Sequence, residues 1–156
     1  MKKEERLYNM ILPVWLLWIF PVTWPFILGG NLLIDGLVLF GALTALKLAD
    51  RSHLMKTLLW RVYLLGFAAD AVGAAFLWCV VSWFPEENLY PFFMFGQINP
   101  PGFLITLFGI CLSGVCIYFF DQAALKKAEV LTADQRRKIA LAMAIITAPW
   151  TYFITV

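Results

Sequence analysis

Two aspartates and an asparagine sit where an apolar chain tolerates them least. Asp35 and Asp70 each lie inside a long hydrophobic run, and neither side chain is long enough to snorkel to an aqueous surface. Counted from Arg51 in the short polar turn between the runs, Asp35 is 16 residues back and Asp70 is 19 residues on. At the helical rise these are about 24 Å and about 28 Å from the turn, within one helical turn of the same depth. Asn31 is four residues before Asp35 and so shares its helix face. Tyr63, Gly66 and Gly73 fall on the stripe of Asp70, and the glycines would open space there for a partner helix, a water or an ion.

Three chemistries fit such a midplane group. Two carboxylates at close quarters cannot both stay ionised without a cation or a shared proton, which points to ion or proton handling. One carboxyl acting as base and the other as acid around a water would make an intramembrane hydrolase. Mutual hydrogen bonding would make a structural clasp, as in an assembly subunit of a larger membrane complex. The first is the preferred expectation, with Asn31, Asp35 and Asp70 as the binding residues.

The elements that must position them are membrane helices. The chain is 62% apolar and 14% charged, against roughly 45–50% and 25% in soluble domains. Its apolar runs predict an all-α, polytopic bundle of five transmembrane helices in a single domain, over about 7–20, 26–48, 53–84, 102–120 and 133–156. The first run reads as a retained span, because Pro13, Pro21, Trp15, Trp18 and Trp24 stand where a signal peptide would have a small-residue cleavage site. Pro13 and Pro149 are expected to kink the first and last spans. Ser52 is placed to cap the third span, and Thr132 with Gln135 matches a capping box opening the fifth.

All 12 Lys and Arg residues then fall on one side of the membrane: before the first run, around the 49–53 turn, and around the 121–132 connection. The positive-inside bias puts the N-terminus in the cytoplasm of a cell membrane and the C-terminus outside. Lys126, Lys127, Arg136, Arg137 and Lys138 suit anionic lipid headgroups, and Arg61 should snorkel inward or pair with Asp121 or a lipid phosphate. The outer loop over 85–101 is aromatic-rich and should lie in the outer interface or dip into it as a re-entrant loop. Its Glu86 and Glu87 could concentrate cations at an entrance.

Small residues recur at four-residue spacing, as Gly41 with Ala45, Gly109 with Ser113, and Ala140, Ala144 and Ala148. They predict close helix packing, within the bundle or in a homo-oligomer. Cys79, Cys111 and Cys116 form no C-x-x-C, and His53 has no Cys or His beside it. No metal, cofactor or nucleic-acid partner is expected.

Asn31-Leu-Leu-Ile-Asp35 and Phe67-Ala-Ala-Asp70 resemble fragments of the two aspartate motifs of lipoprotein signal peptidases, small intramembrane aspartyl enzymes. That resemblance adds to the hydrolase alternative drawn from the two carboxyls. The chain departs from the pattern in placing a whole cytoplasmic hairpin between the aspartates and in carrying Ala68 where the family has Asn. Five spans, length and abundant Trp also resemble tryptophan-rich sensory proteins, but the Trp-Pro-Pro loop is missing and the orientation is opposite.

Overall fold

The computed structural model describes residues 24–84, 93–94, 97–98 and 100–153. The first expected span, over 7–20, and the acidic pair Glu86 and Glu87 lie outside the described residues. Four helices carry the rest: α1 (Trp24–Ala45), α2 (Arg51–Trp83), α3 (Pro100–Leu125) and α4 (Ala133–Ile146). A short 3-10 turn, Trp150–Phe153, follows α4. Between α2 and α3 a two-residue antiparallel ladder pairs Phe93 with Ile98 and Met94 with Gln97.

Helices α1, α2 and α3 are long and apolar enough to cross a membrane. Their outward side chains are as apolar as their inward ones: Leu33, Leu37, Trp60, Leu64, Leu104 and Phe119 are 59–65% exposed. A helix that is apolar on every side needs a non-aqueous surrounding. In hydrocarbon, helices also leave no backbone group of the segment unpaired.

The helices pack as a closed ring, α1 on α2, α2 on α3, α3 on α4 and α4 on α1. One apolar core joins Leu39 and Leu43 of α1, Leu54 and Leu58 of α2, and Ile117 and Leu125 of α3, continuing to Ala128 and Leu131 of the following connection. Leu48, from the α1–α2 turn, belongs to the same core. Both turns therefore sit at one end of the bundle, called here the basic end.

Local chemistry sets the helix bounds, and they differ from the sequence expectation in four places. Helix α1 stops at Ala45 rather than continuing to Leu48. Lys47 takes a left-handed φ of 53°, Lys47 N–H donates to the Thr44 carbonyl, and Leu48 N–H donates to the Leu43 carbonyl. This is a Schellman stop with its hydrophobic contact between buried Leu43 and Leu48. Helix α2 begins at Arg51, so Ser52 lies inside the first turn; the N-cap is Asp50, which makes no side-chain cap bond. Helix α3 runs past Phe120 to Leu125 and takes Asp121 into the bundle.

The fifth expected span is an interrupted element. Helix α4 opens on the Thr132–Gln135 capping box, with Gln135 N–H donating to Thr132 Oγ1 at 3.3 Å and Thr132 N–H to Gln135 Oε1 at 2.9 Å. It ends after 14 residues, about 21 Å. Pro149 has no N–H to offer the Ile145 carbonyl four residues back. The indole of Trp150 donates to that carbonyl at 3.0 Å instead, and Thr147 closes the helix by donating N–H and hydroxyl to the Met143 carbonyl. The 3-10 turn then carries Phe153 onto Phe103, in the first turn of α3, with ring centroids 5.3 Å apart.

Two stability predictions follow from these ends. Lys47→Val should lower stability by about 1–2 kcal/mol, since a branched side chain is strained at positive φ, while Lys47→Gly should be neutral or stabilising. Trp150→Phe should cost about 1 kcal/mol by orphaning the Ile145 carbonyl. Thermal unfolding in a fixed detergent measures each.

Candidate functional site

The site is built where α1, α2 and α3 meet inside the ring. Asp35, on α1, is 8% exposed although its neighbours Leu33 and Ile34 face outward. Its carboxylate lies over Gly66 of α2, with Oδ2 3.7 Å from where a Cβ would stand. A Cβ at 66 would touch that carboxylate at ordinary van der Waals distance. Asp70 follows one helical turn after Gly66, largely within the bundle, and its Oδ1 is buried with no hydrogen-bond partner.

Tyr63 is buried, and its hydroxyl donates to the Leu28 carbonyl of α1 at 3.3 Å. It thus ties α2 to α1 across the site. Asn31 is half-buried on α1, one turn from Asp35. The structure therefore brings Asp35 against Gly66, with Tyr63 and Asp70 about one turn to either side of that glycine on α2.

Gly73 has a different use. A Cβ on it would run into Ser113 Oγ and would stand 2.9 Å from the Gly109 carbonyl, both on α3. The space it opens is filled by a partner helix, so Gly73 lets the α2 and α3 backbones approach closely. Gly109 is itself covered by Leu77 of α2. The Gly109–Ser113 stripe and the Ala140–Ala144 stripe are used inside this bundle, the latter where a Cβ on Gly114 would stand 3.3 Å from the Ala144 carbonyl. Gly41, by contrast, has nothing within 4 Å.

The interruption after α4 reaches the same site. Tyr152, on the 3-10 turn, donates its hydroxyl to the backbone carbonyl of Asp70 at 2.6 Å. Ser113 Oγ lies beside that phenol, fully buried but outside hydrogen-bond geometry. The break at Thr147–Pro149 thus delivers a phenol to the turn of α2 that carries Asp70. A continuous helix would present different residues there.

Three participants are absent from the sequence expectation as site residues: Tyr152, Ser113 and Asp121. Asp121 was expected only as one partner for Arg61. It is 0% exposed and both its carboxyl oxygens lack partners, while Arg61 is exposed. The Arg61–Asp121 pair does not form. Its burial had a signal in the spacing: Ser113, Ile117, Asp121 and Leu125 recur every four residues. An acidic residue before a basic stretch otherwise reads as a helix end.

At the basic end Lys126, Lys127, Arg137 and Lys138 are exposed and Arg136 is half-buried. Lys138 pairs with Asp134 at 2.7 Å. An open groove of about 480 Å³ runs between α3 and α4, walled by Val115, Phe119, Leu141 and Ile145 and rimmed by Arg137 and Lys138. Among the described residues no group of three or more His, Cys, Asp or Glu could hold a metal ion. No protein-family model matches the chain, and neither a curated protein nor a solved structure matches it significantly.

The α2–α3 contact is the most sensitive point. Gly73→Ala gains about 0.5–1 kcal/mol of helix preference but must push against the Gly109 backbone, so a net loss of about 1–3 kcal/mol is expected. Ser113→Ala in the same chain should restore only part of it, because the Gly109 carbonyl remains in the way. Thermal unfolding of the single and double variants checks both statements.

Proposed function

We propose that this chain crosses the membrane five times, N-terminus inside and C-terminus outside, and binds or moves a proton or small cation at Asn31, Asp35 and Asp70 as a channel, a transporter or a subunit of one. The observation that carries the reading is that these carboxyls are turned into the bundle yet are not mutually satisfied. A structural clasp pairs its polar atoms, because an unpaired buried group is costly. Asp70 Oδ1 has no partner. An intramembrane carboxyl that neither snorkels nor pairs marks a place where a proton or cation resides for part of a cycle.

Two further observations support the topology and the mode. The fifth segment, though broken, runs from the basic end to Phe103 at the far end of α3. Interrupted helices at substrate depth are a recurrent means of bringing polar groups to an ion inside a membrane bundle. The hydrolase alternative would need an open pocket reaching both carboxyls, and the α3–α4 groove is lined by neither. That groove, with cations at one end and apolar walls, complements an anionic lipid whose headgroup meets Arg137 and Lys138. Gly41, open on the outer face of α1, is a candidate contact for a second copy or a larger complex.

Ion flux in proteoliposomes, tested for H⁺, Na⁺, K⁺ and anions in turn, is the direct experiment. Asp35→Asn and Asp70→Asn should each reduce flux at least tenfold while unfolding at the wild-type temperature or above, since each removes a buried titratable group without changing shape. Wild-type vesicles that pass none of these ions would refute the reading.

A further inference from the structure

Asp121 is the most anomalous side chain among the described residues. It is fully buried, neither carboxyl oxygen has a hydrogen-bond partner, and it lies four residues before the end of α3, about 6 Å from the basic end. The negative end of the α3 helix dipole adds negative potential there, which disfavours a carboxylate further. The charged groups on the elements packed around it do not relieve this. From α2, Lys56 and Arg61 are exposed; from α4, Arg137 and Lys138 are exposed and Arg136 is half-buried. The ionisable group of α1 that acts on it is Asp35, which has the same sign of charge.

Its surroundings also decide between a proton and a metal cation. A cation such as Na⁺ or Ca²⁺ needs several oxygen ligands at once. Asp121 is flanked along its own buried stripe by Ile117, Ala124 and Leu125, and no acidic trio is close enough to hold a metal among the described residues. Asp70 is 19 residues from the start of α2, Asp35 is 10 residues before the end of α1 and Asp121 is four residues before the end of α3, about 28, 15 and 6 Å from the basic-end terminus of each helix, so the three carboxyls descend in series on three successive helices of the ring. The fully buried Ser113, two helical turns before Asp121 on the same stripe, adds an unpaired hydroxyl facing inward and is independent of the acids.

We propose that Asp121 is the inner station of a proton path, holding a proton that it exchanges with Asp35 on one side, through intervening water, and with the basic-end solution on the other. This rests on the reading of Asp35 and Asp70 as an ion site and names the ion as H⁺. Each transfer moves one proton from a carboxylic acid to water or a carboxylate, leaving the donor ionised until it is reprotonated, so no electron acceptor or co-substrate is needed.

The test is proton flux into proteoliposomes, read with a pH-sensitive dye under an imposed membrane potential, for the wild type, Asp121→Asn, Asp121→Glu, Asp35→Asn and Asp70→Asn. Expected is at least a tenfold loss for Asp121→Asn and partial retention for Asp121→Glu, with proton flux unchanged when Na⁺ replaces K⁺ outside. Wild-type flux in a folded Asp121→Asn, beside loss in the Asp35 and Asp70 variants, would overturn this inference and leave the ion site standing. No proton flux in the wild type, with Na⁺ or K⁺ carried instead, would overturn it as well; no flux of any ion would remove both. Infrared spectroscopy gives a readout that needs no transport and no Asp121 variant. In the Asp35→Asn/Asp70→Asn double variant near neutral pH, a protonated-carboxyl C=O band should persist, and its absence would overturn the proposal.

Discussion

Hydrocarbon offers no hydrogen bonds, and that single deficiency organises this molecule. A short polar side chain on a membrane helix must be aimed inward or bonded to its own helix, and every carbonyl freed by a break must find another donor. Asp35 turns inward while the adjacent Leu33 and Ile34 face out. Thr57, Ser82 and Thr147 donate their hydroxyls to carbonyls one turn back on their own helices, the local solution open to short polar side chains. Trp150 does the equivalent for the carbonyl that Pro149 leaves unserved. Where such repairs exist, the polar group is structural. Asp70 Oδ1 and both Asp121 carboxyl oxygens are buried without such a repair.

Close backbone approach is what permits the inward arrangement. Lipid removes the hydrophobic drive between helices, so association rests on packing and on the few hydrogen bonds that cross between helices. Gly73 against Gly109 and Ser113 brings α2 and α3 together, and two turns earlier on α2 the Asp35 carboxylate lies over Gly66. The two glycines are seven residues apart on one helix, yet one is filled by backbone and the other by a carboxyl group. Tyr63 and Tyr152 then bond from the two sides of α2, to Leu28 and from the 3-10 turn to Asp70. Helix α2 is consequently held at the turn that carries its acid.

Much of this was legible in the sequence because its signals are physical rather than contextual. Apolar length reveals the described helices, and Thr132 and Gln135 announce the start of α4. The misreadings occurred where two rules competed. Ser52 is a good cap residue, but the chain had already entered the helix at Arg51 after the left-handed Lys47. Asp121 beside a basic stretch resembled a solvated helix end, whereas Leu125 one turn later belongs to the core and carries the helix through it. Pro149 was legible as a kink, but whether a proline bends a helix or ends it depends on what serves the orphaned carbonyl. The donor here is the indole of Trp150, a tertiary choice that periodicity does not encode.

A series of carboxyls differs in kind from a cluster. A cluster concentrates ligands on one point and selects a metal by coordination number and size, whereas spaced acids can share only something small enough to hop between them. Along this bundle the acids are distributed one to a helix, on α1, α2 and α3, and the phenol of Tyr152 enters from the fourth corner of the ring. None lies on a loop, so their spacing is fixed by helix packing and not by segments free to reorganise around an ion. Rigid spacing would be a poor design for chelation, where ligands must close around their ion. For a proton it is sufficient, because a hydrogen-bonded water can bridge the gap and each acid need only be neutral for part of the time. The burial that makes Asp121 costly when charged is, on this account, the same feature that keeps the passage shut to anything carrying a hydration shell.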